Sequence, residues 1–259
     1  MKQIISFNLI VELAIAAATI VVPLAHAQTG PKREALVARL ESVALGAFET
    51  PKLFYIKSDE AGRKKTSAPL QISSESRGGI NLIPAPDERI TLYASPSCDA
   101  ASMAQEIPVN PKLPSLLLLF YLDASGHMQS LVVPAATEHG EGQIRIINVS
   151  GVAGGIRVDS TQLAVNSGED KILPIKLPAK TFFSYKVGWA ESKNASYETG
   201  VKELFFPAPG MRMTVVLANV PSEREKPNGT RETVYSPRDY RFYDRVPENA
   251  AGTPAQTTP

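Results

Sequence analysis

Short apolar runs separated by turn-forming residues recur along almost the whole chain. Four such runs lie in the first part of the sequence, and glycine, proline and aspartate residues stand between them. Runs of four to six residues with such boundaries predict β-strands rather than helices. The four predicted strands occupy residues 52–57, 68–73, 80–85 and 89–94.

A β-hairpin is predicted in the middle of the chain. Residues 115–123 form a continuous apolar run, and residues 128–135 form a second apolar run. Asp123, at the end of the first run, and Gly126, between the two runs, favour a turn. We therefore expect these two segments to pair as neighbouring antiparallel strands.

The same pattern continues through the C-terminal part. Shorter apolar runs are followed by a longer strand at residues 181–189, in which alternate side chains are aromatic or apolar and therefore share one face. A last pair of strands is predicted at 211–220 and 231–237, joined by a polar loop. The alternating side chains of the longer strand are Phe183, Tyr185, Val187 and Trp189.

One segment near the N-terminus supports two interpretations. Residues 31–48 begin with a proline, and Leu36, Leu40 and Val43 would share one face of a helix. Comparison of the two halves of the chain instead predicts a strand at 40–45. The sequence leaves this choice open.

The two halves of the chain have their predicted strands in the same order. When Gly46 is aligned with Gly151, about six elements follow in matching order. The clearest match is a strand preceded by two closely spaced prolines, at 109–122 and at 205–218. The length differences fall in polar loops, where insertions are tolerated. We interpret this pattern as an internal duplication.

About seven short strands in each repeat of roughly 100 residues are typical of a β-sandwich. The predicted fold is therefore all-β, with two tandem Ig-like β-sandwich domains related by an internal duplication. The first domain is predicted at 28–137 and the second at 138–246. Residues 247–259 have little to bury, and we expect them to form a disordered tail.

The first 27 residues have the pattern of a secretory signal peptide. Lys2 precedes a mostly apolar run that ends in Ala25-His26-Ala27, a small-x-small cleavage pattern. The alternative is an uncleaved membrane anchor, but Glu12 would cost about 2.5–3.5 kcal/mol at a bilayer centre. We therefore expect a cleaved signal peptide, no transmembrane anchor after cleavage, and a periplasmic, secreted or cell-surface location.

Composition and charge narrow the classes of partner. The formal net charge is +1, which gives no reason to expect nucleic acid or an anionic membrane as a partner. The single cysteine, Cys98, cannot form an internal disulfide. It is an incidental loop residue, an intermolecular bridge or a reactive thiol, and the first role is the most common. We expect no cofactor.

The sequence contains no recognisable catalytic or metal-binding constellation. After signal cleavage only His127 and His139 remain, and neither has a second histidine at metal-ligand spacing. A cation site from Glu138, His139 and Glu141 is the one metal candidate. There is no Gly-x-Ser-x-Gly motif of a serine hydrolase. No catalytic or metal residue is therefore assigned, and the protein is expected not to be an enzyme.

Aromatic residues mark two candidate binding regions. Trp189, Tyr185 and Phe183 could form a sugar-binding platform, although an inner-face core position is the more common role. The second region mixes aromatic side chains with arginines, and both types are enriched at interface anchors. The alternative for this region is a terminal segment that packs back across the two domains. Its candidate partner-binding residues are Tyr235, Arg238, Tyr240, Arg241, Phe242 and Tyr243.

Three sequence motifs support a resemblance to a known group. They are the strand entry at 145–151, the hairpin at 116–134 and the proline-led strand at 207–218. Together with the signal peptide they resemble secreted tandem β-sandwich proteins of verrucomicrobial-type bacteria, over most of the mature chain. The resemblance implies an envelope or secreted location and no catalytic residue.

These observations leave three hypotheses for function. The first is a non-catalytic envelope protein with a binding or assembly role, whose partner is another envelope protein. The second is a carbohydrate-binding module, which needs an exposed aromatic row or an acidic loop cluster. The third is a hydrolase with an unrecognised site, which needs a cleft where a histidine or two carboxylates converge.

Overall fold

The computed structural model describes residues 36–59, 61–135, 140–192, 195–198 and 202–245. The predicted signal peptide, the predicted C-terminal tail and the predicted domain boundary at 137/138 lie outside these residues, so all three stay predictions. We call residues 36–135 the N-terminal half and residues 140–245 the C-terminal half.

Almost all of the regular structure is β, as the spacing of the apolar runs predicts. Two short 3₁₀ turns, Pro86–Glu88 and Ala100–Ser102, are the helical elements of the described chain. Eighteen strands make up the rest: β1 (Val37–Ala44), β2 (Ile56–Ser58), β3 (Lys64–Thr66), β4 (Ser73–Ser74), β5 (Asn81–Pro84), β6 (Arg89–Tyr93), β7 (Met103–Pro108), β8 (Ser115–Leu122), β9 (Met128–Pro134), β10 (Ile144–Asn148), β11 (Gly154–Val158), β12 (Thr161–Val165), β13 (Asp170–Ile172), β14 (Thr181–Ser192), β15 (Ala195–Glu198), β16 (Lys202–Phe206), β17 (Met211–Glu225) and β18 (Arg231–Arg245).

The largest sheet has nine strands and contains strands from both halves. Its main path runs β13-β10-β17-β8-β1-β4, with β18 paired to β17, β5 to β1 and β9 to β8. The two halves meet in this sheet where Asn219 of β17 pairs with Leu122 of β8. The C-terminal half also forms a five-stranded sheet from β11, β12, β14, β15 and β16.

The strands of the two halves are paired in the same way. In the N-terminal half, β1 runs parallel to β8 and antiparallel to β5, and β8 continues into a hairpin with β9. In the C-terminal half, β10 runs parallel to β17 and antiparallel to β13, and β17 continues into a hairpin with β18. The alignment of Gly46 with Gly151 places these strands opposite one another in the same order.

Three apolar cores explain how the layers are held together. In the N-terminal half, one face of β1 and β8 packs against β5, β6 and β7. In the C-terminal half, one face of β10 and β17 packs against the five-stranded sheet. The remaining faces of β1, β8, β10 and β17 form a third core together with β9 and β18. We call this third cluster the shared core, because both halves contribute to it.

The shared core accounts for the continuous apolar run of β8. Leu116, Leu118 and Phe120 face the core of the N-terminal half, whereas Leu117 and Leu119 face the shared core. A strand that is buried on both faces has no solvent side, so it carries no polar alternation.

Several predicted elements change in the structure. Residues 31–48 do not form a helix where they are described: β1 is a strand, fixed by parallel pairing with β8. The predicted strand at 68–73 is wrong except at its last residue, because β4 contains only Ser73 and Ser74. The last hairpin is longer than predicted, because β17 and β18 remain paired from Met211 and Arg245 to Glu225 and Arg231.

Candidate binding surfaces

The partner-binding residues suggested by the sequence lie on β18, within the paired strand rather than beyond it. Tyr240 and Phe242 point into the shared core and are buried there. Burial raises the pKa of Tyr240 to about 12. A partner could not reach these two rings without opening the core, so they pack the strand across the two halves.

Side chains on the other face of β18 from Tyr240 and Phe242 point towards the five-stranded sheet. Arg241 lies 6.0 Å from the centre of the Tyr185 ring and 3.4 Å from Asp239. Tyr243 meets the ring of Phe206 edge-on, with 6.3 Å between the ring centres. Both Arg241 and Tyr243 are also accessible to solvent at the margin of this contact.

The two remaining candidates lie closer to the turn of the hairpin. Arg238 is exposed, stacks 5.4 Å from the ring of Tyr240 and lies 3.5 Å from Glu75. Tyr235 is partly buried against Gly126, in the turn between β8 and β9. The six candidates therefore do not form one exposed patch: Arg238, Arg241 and Tyr243 are accessible, and the others serve packing.

A network of charged side chains links the two halves, and two of its arginines, Arg145 and Arg212, are buried. Arg145 is only 1% exposed, and its guanidinium group binds both carboxylate oxygens of Asp170 and the carbonyl oxygen of Pro134, the last at 2.7 Å. Arg77 pairs with Asp244 across the two halves and lies 3.4 Å from Glu41. Because these contacts tie one half to the other, we assign the network a structural role.

Arg212 belongs to the same network. Its Nε atom lies 4.0 Å from Asp244. Burial lowers the pKa of Arg212, and the nearby positive charges of Arg77 and Arg145 act in the same direction, while Asp244 opposes them. Sequence reasoning missed this cluster, since its members are separated along the chain and nothing in their local spacing joins them.

The residues considered for catalysis do not converge within the described chain. His127 is exposed on the turn between β8 and β9, with its Nδ1 atom 3.8 Å from Asp123. His139 and Glu138 lie outside the described residues, so the cation site that includes Glu141 stays a prediction. Among the residues that are described, no group of three His, Cys, Asp or Glu side chains could hold a metal ion.

Cys98 is half-buried in a turn of the N-terminal half, with its sulfur 3.8 Å from the carbonyl oxygen of Ser95. In the part of the chain that the structure describes, no helix is long and apolar enough to cross a bilayer.

The suggested sugar-binding platform on β14 is buried. Tyr185 and Trp189 pack into the core between the five-stranded sheet and β17. Burial raises the pKa of Tyr185 well above its ordinary range, and the negative charge of Asp239 acts in the same direction. These two rings are therefore core residues and present no surface to a glycan.

A different aromatic pair is exposed on the outer face of the five-stranded sheet. Phe182 of β14 pairs with Phe205 of β16, and their ring centres are 4.9 Å apart. Phe182 is 71% exposed and Phe205 is 42% exposed. The alternation of β14 predicts that Phe182 faces away from Phe183, but it does not predict that Phe205 is its neighbour.

The same outer face contains a groove further along β14, between β14 and β11. Gly155 of β11 pairs with Gly188 of β14, and the next outward pair is Arg157 with Lys186. Because the two glycines carry no side chains, the backbone is open to solvent there and a groove of about 370 Å³ forms. Arg157 is exposed at its border.

A second concave region lies where turns of the two halves meet. The cleft has a volume of about 260 Å³. Tyr121, Asp123, Gln129 and Leu131 line it from the N-terminal half, and Val149, Gly151, Ser167 and Gly168 line it from the C-terminal half.

No protein-family model matches the chain, and no curated protein is significantly similar to it in sequence. We therefore infer function from the geometry of the described residues.

Proposed function

We propose that this protein is a non-catalytic envelope protein that binds another envelope protein, in the periplasm or at the cell surface. The observation that carries the proposal is the exposed pair Phe182 and Phe205 on the outer face of the five-stranded sheet. Aromatic side chains are enriched at the centres of protein interfaces, where burial of their rings supplies much of the binding energy.

The surroundings of the aromatic pair support a protein partner. Phe182, Lys186 and Gly188 lie on the same face of β14, so the rings and the groove belong to one surface. Arg157 borders the groove and is exposed. Aromatic and arginine side chains are the residue types most enriched at interface anchors. Because Gly155 and Gly188 have no side chains, a partner can approach the backbone of the sheet closely at this pair.

The location and the domain history belong to the same proposal. The signal-peptide pattern of residues 1–27 favours export, and the resemblance to secreted tandem β-sandwich proteins agrees with it. The matching strand pairings of the two halves favour an internal duplication of a sandwich unit.

The test uses a tagged chain crosslinked in intact cells, followed by mass spectrometry of the proteins attached to it. The double variant Phe182→Ser/Phe205→Ser removes both exposed rings. Leu82→Ser is the matched control, because Leu82 is 60% exposed on a strand of the other half. Exposed substitutions change the free energy of unfolding by only about 0.5 kcal/mol, so both variants should fold.

We expect one stoichiometric envelope partner to be recovered with the wild-type protein and with Leu82→Ser. Recovery should fall by about tenfold with the double variant, as expected for the loss of an aromatic interface anchor. Recovery of no partner, or equal recovery with all three proteins, would contradict the proposal.

A further inference from the structure

The cleft between the turns of the two halves has the features of a small-ligand site. Such sites form preferentially where domains or layers meet, and they combine apolar walls with a few convergent polar groups. Here the apolar part comes from Tyr121, Leu131 and Val149, and the polar part comes from Asp123 and Gln129, which belong to the same β8–β9 hairpin as Tyr121 and Leu131. The volume of about 260 Å³ is below the range of roughly 300–1,000 Å³ for drug-sized ligands. The cleft therefore suits a single small ring.

The polar side of the cleft is held in place before any ligand binds. Asp123 accepts hydrogen bonds from the backbone N–H groups of Ser125 and His127, both at 2.9 Å. Its second oxygen accepts a hydrogen bond from the Gln129 amide at 3.2 Å. These bonds lower the pKa of Asp123, the one from His127 most, so the carboxylate stays charged at neutral pH. A charged, fixed carboxylate is a strong hydrogen-bond acceptor.

The opposite wall is also rigid. Glu169 closes the turn between β12 and β13 by accepting hydrogen bonds from the backbone N–H of Asn166 at 2.7 Å and from its side-chain amide at 3.2 Å. Lys171 and these bonds lower the pKa of Glu169 to about 2. The turn places Ser167 and Gly168 at the cleft, and an ordered wall reduces the entropy that binding would cost.

Several groups in the cleft can still form hydrogen bonds. Within the described part of the chain, the Tyr121 hydroxyl, the Ser167 hydroxyl and the Gln129 carbonyl oxygen have no partner. Both hydroxyls can donate and accept, whereas the Gln129 oxygen and the Asp123 carboxylate can only accept. This combination of acceptors with amphoteric hydroxyls beside an aromatic ring suits a ligand that is rich in hydroxyl groups and has an apolar ring face.

We propose that this cleft binds a single pyranose ring, either as a free monosaccharide or as the terminal unit of a glycan. Asp123 and Gln129 accept hydrogen bonds from adjacent sugar hydroxyls, and the Tyr121 ring covers the apolar face of the sugar. Ser167 contacts the same sugar from the C-terminal half. The site is independent of the aromatic pair on the five-stranded sheet.

The test is saturation-transfer-difference NMR with glucose, galactose, mannose and N-acetylglucosamine, each at about 5 mM, a concentration suited to the millimolar affinity of a small contact area. The variant Gln129→Leu removes the amide from the cleft. Its matched control is Gln162→Leu, because Gln162 is another exposed glutamine on a strand and lies outside the cleft. Asp123 is left intact because it holds its own turn.

We expect at least one sugar to show saturation transfer with the wild-type protein and with Gln162→Leu. Its affinity should fall about tenfold with Gln129→Leu, which is the effect of losing one or two hydrogen bonds to the ligand. Binding of an oligosaccharide that carries the same terminal sugar, but not of the free sugar, would identify the source as a glycan. The proposal would be overturned if saturation passed from the protein to no free sugar and to no such oligosaccharide. Equal sugar affinity of Gln129→Leu and Gln162→Leu would overturn it as well.

The same measurement separates this proposal from the proposed function. The double variant Phe182→Ser/Phe205→Ser should bind the sugar as the wild-type protein does. Loss of the protein partner with retained sugar binding would support both sites. Sugar binding that disappears with the double variant would overturn the independence of the cleft.

Discussion

Both the backbone conformation at residue 126 and the close approach of a neighbouring side chain require glycine there. The residue has φ of 81°, in the left-handed region that side chains disfavour. A Cβ atom placed there would stand 2.1 Å from the hydroxyl oxygen of Tyr235. The turn between β8 and β9 therefore needs glycine both for its own shape and for contact with the last hairpin.

We predict that Gly126→Ala lowers the free energy of unfolding by more than the backbone cost alone. Gly62→Ala is the matched control: Gly62 has φ of 74°, with no atom near the added Cβ. The control should lose about 1–2 kcal/mol, the cost of a left-handed alanine. Gly126→Ala should lose more, since Tyr235 must also move. Urea unfolding measures both variants.

The contact itself can be isolated by a double-mutant cycle. In a Tyr235→Ala background, Gly126→Ala should cost only what Gly62→Ala costs, because the clash has been removed. An unchanged cost in that background would contradict the role that we assign to Tyr235.

At the scale of the element, β8 shows how a strand between two cores differs from a surface strand. Leu117 and Leu118 are adjacent, point in opposite directions and are both buried. Leu117 faces the shared core and Leu118 faces the core of the N-terminal half. A strand in an isolated sandwich would expose one of these two side chains.

We predict that Leu117→Ala and Leu118→Ala are both strongly destabilising. Each should lower the free energy of unfolding by about 2–5 kcal/mol, because each leaves a cavity in a packed core. Leu82→Ala, at an exposed position, should change it by no more than about 0.5 kcal/mol. Urea unfolding of the three variants is the measurement. A Leu117→Ala variant as stable as the wild-type protein would show that the shared core contributes little.

At the scale of the whole molecule, the shared core and the buried charge network couple the two halves. Val43 and Leu119 of the N-terminal half pack in one cluster with Val216 and Phe242 of the C-terminal half. The ion pair between Arg77 and Asp244 crosses the same boundary. Unfolding of one half would therefore expose apolar surface and buried charge on the other.

We predict that the two halves unfold together. The single tryptophan, Trp189, reports on the C-terminal half, and a fluorescent maleimide on the single cysteine, Cys98, reports on the N-terminal half. Their urea transitions should coincide, which is the standard test of a cooperative transition. Midpoints that differ by more than about 0.5 M urea would indicate two independently stable units.

Features that depend on neighbouring residues are predictable from the sequence, and features that depend on distant segments are not. The alternation of Phe183, Tyr185 and Val187 predicted one buried face of β14, and these side chains are buried. The same alternation puts Arg145 on the opposite face of β10 from Ile144 and Ile146, but it does not indicate that this second face is also buried. Arg145 is enclosed because its face of β10 lies against the other half.

The candidate sites were less predictable than the strands. The aromatic and arginine side chains of β18 suggested one binding segment, but pairing with β17 divides them between two faces. Tyr240 and Phe242 are buried as a result. Phe182 and Phe205 meet only because β14 and β16 pair in the observed register.

Alternation and turn-forming residues act over a few neighbouring positions, so the sequence alone predicts the all-β class, most strand positions and the main turns. The folded structure is needed to show which strands have two buried faces, where Arg77, Arg145 and Arg212 converge, and that Tyr121 and Ser167 line one cleft. These features depend on contacts between segments far apart in the chain, and local periodicity along one strand contains no information about what packs against its second face.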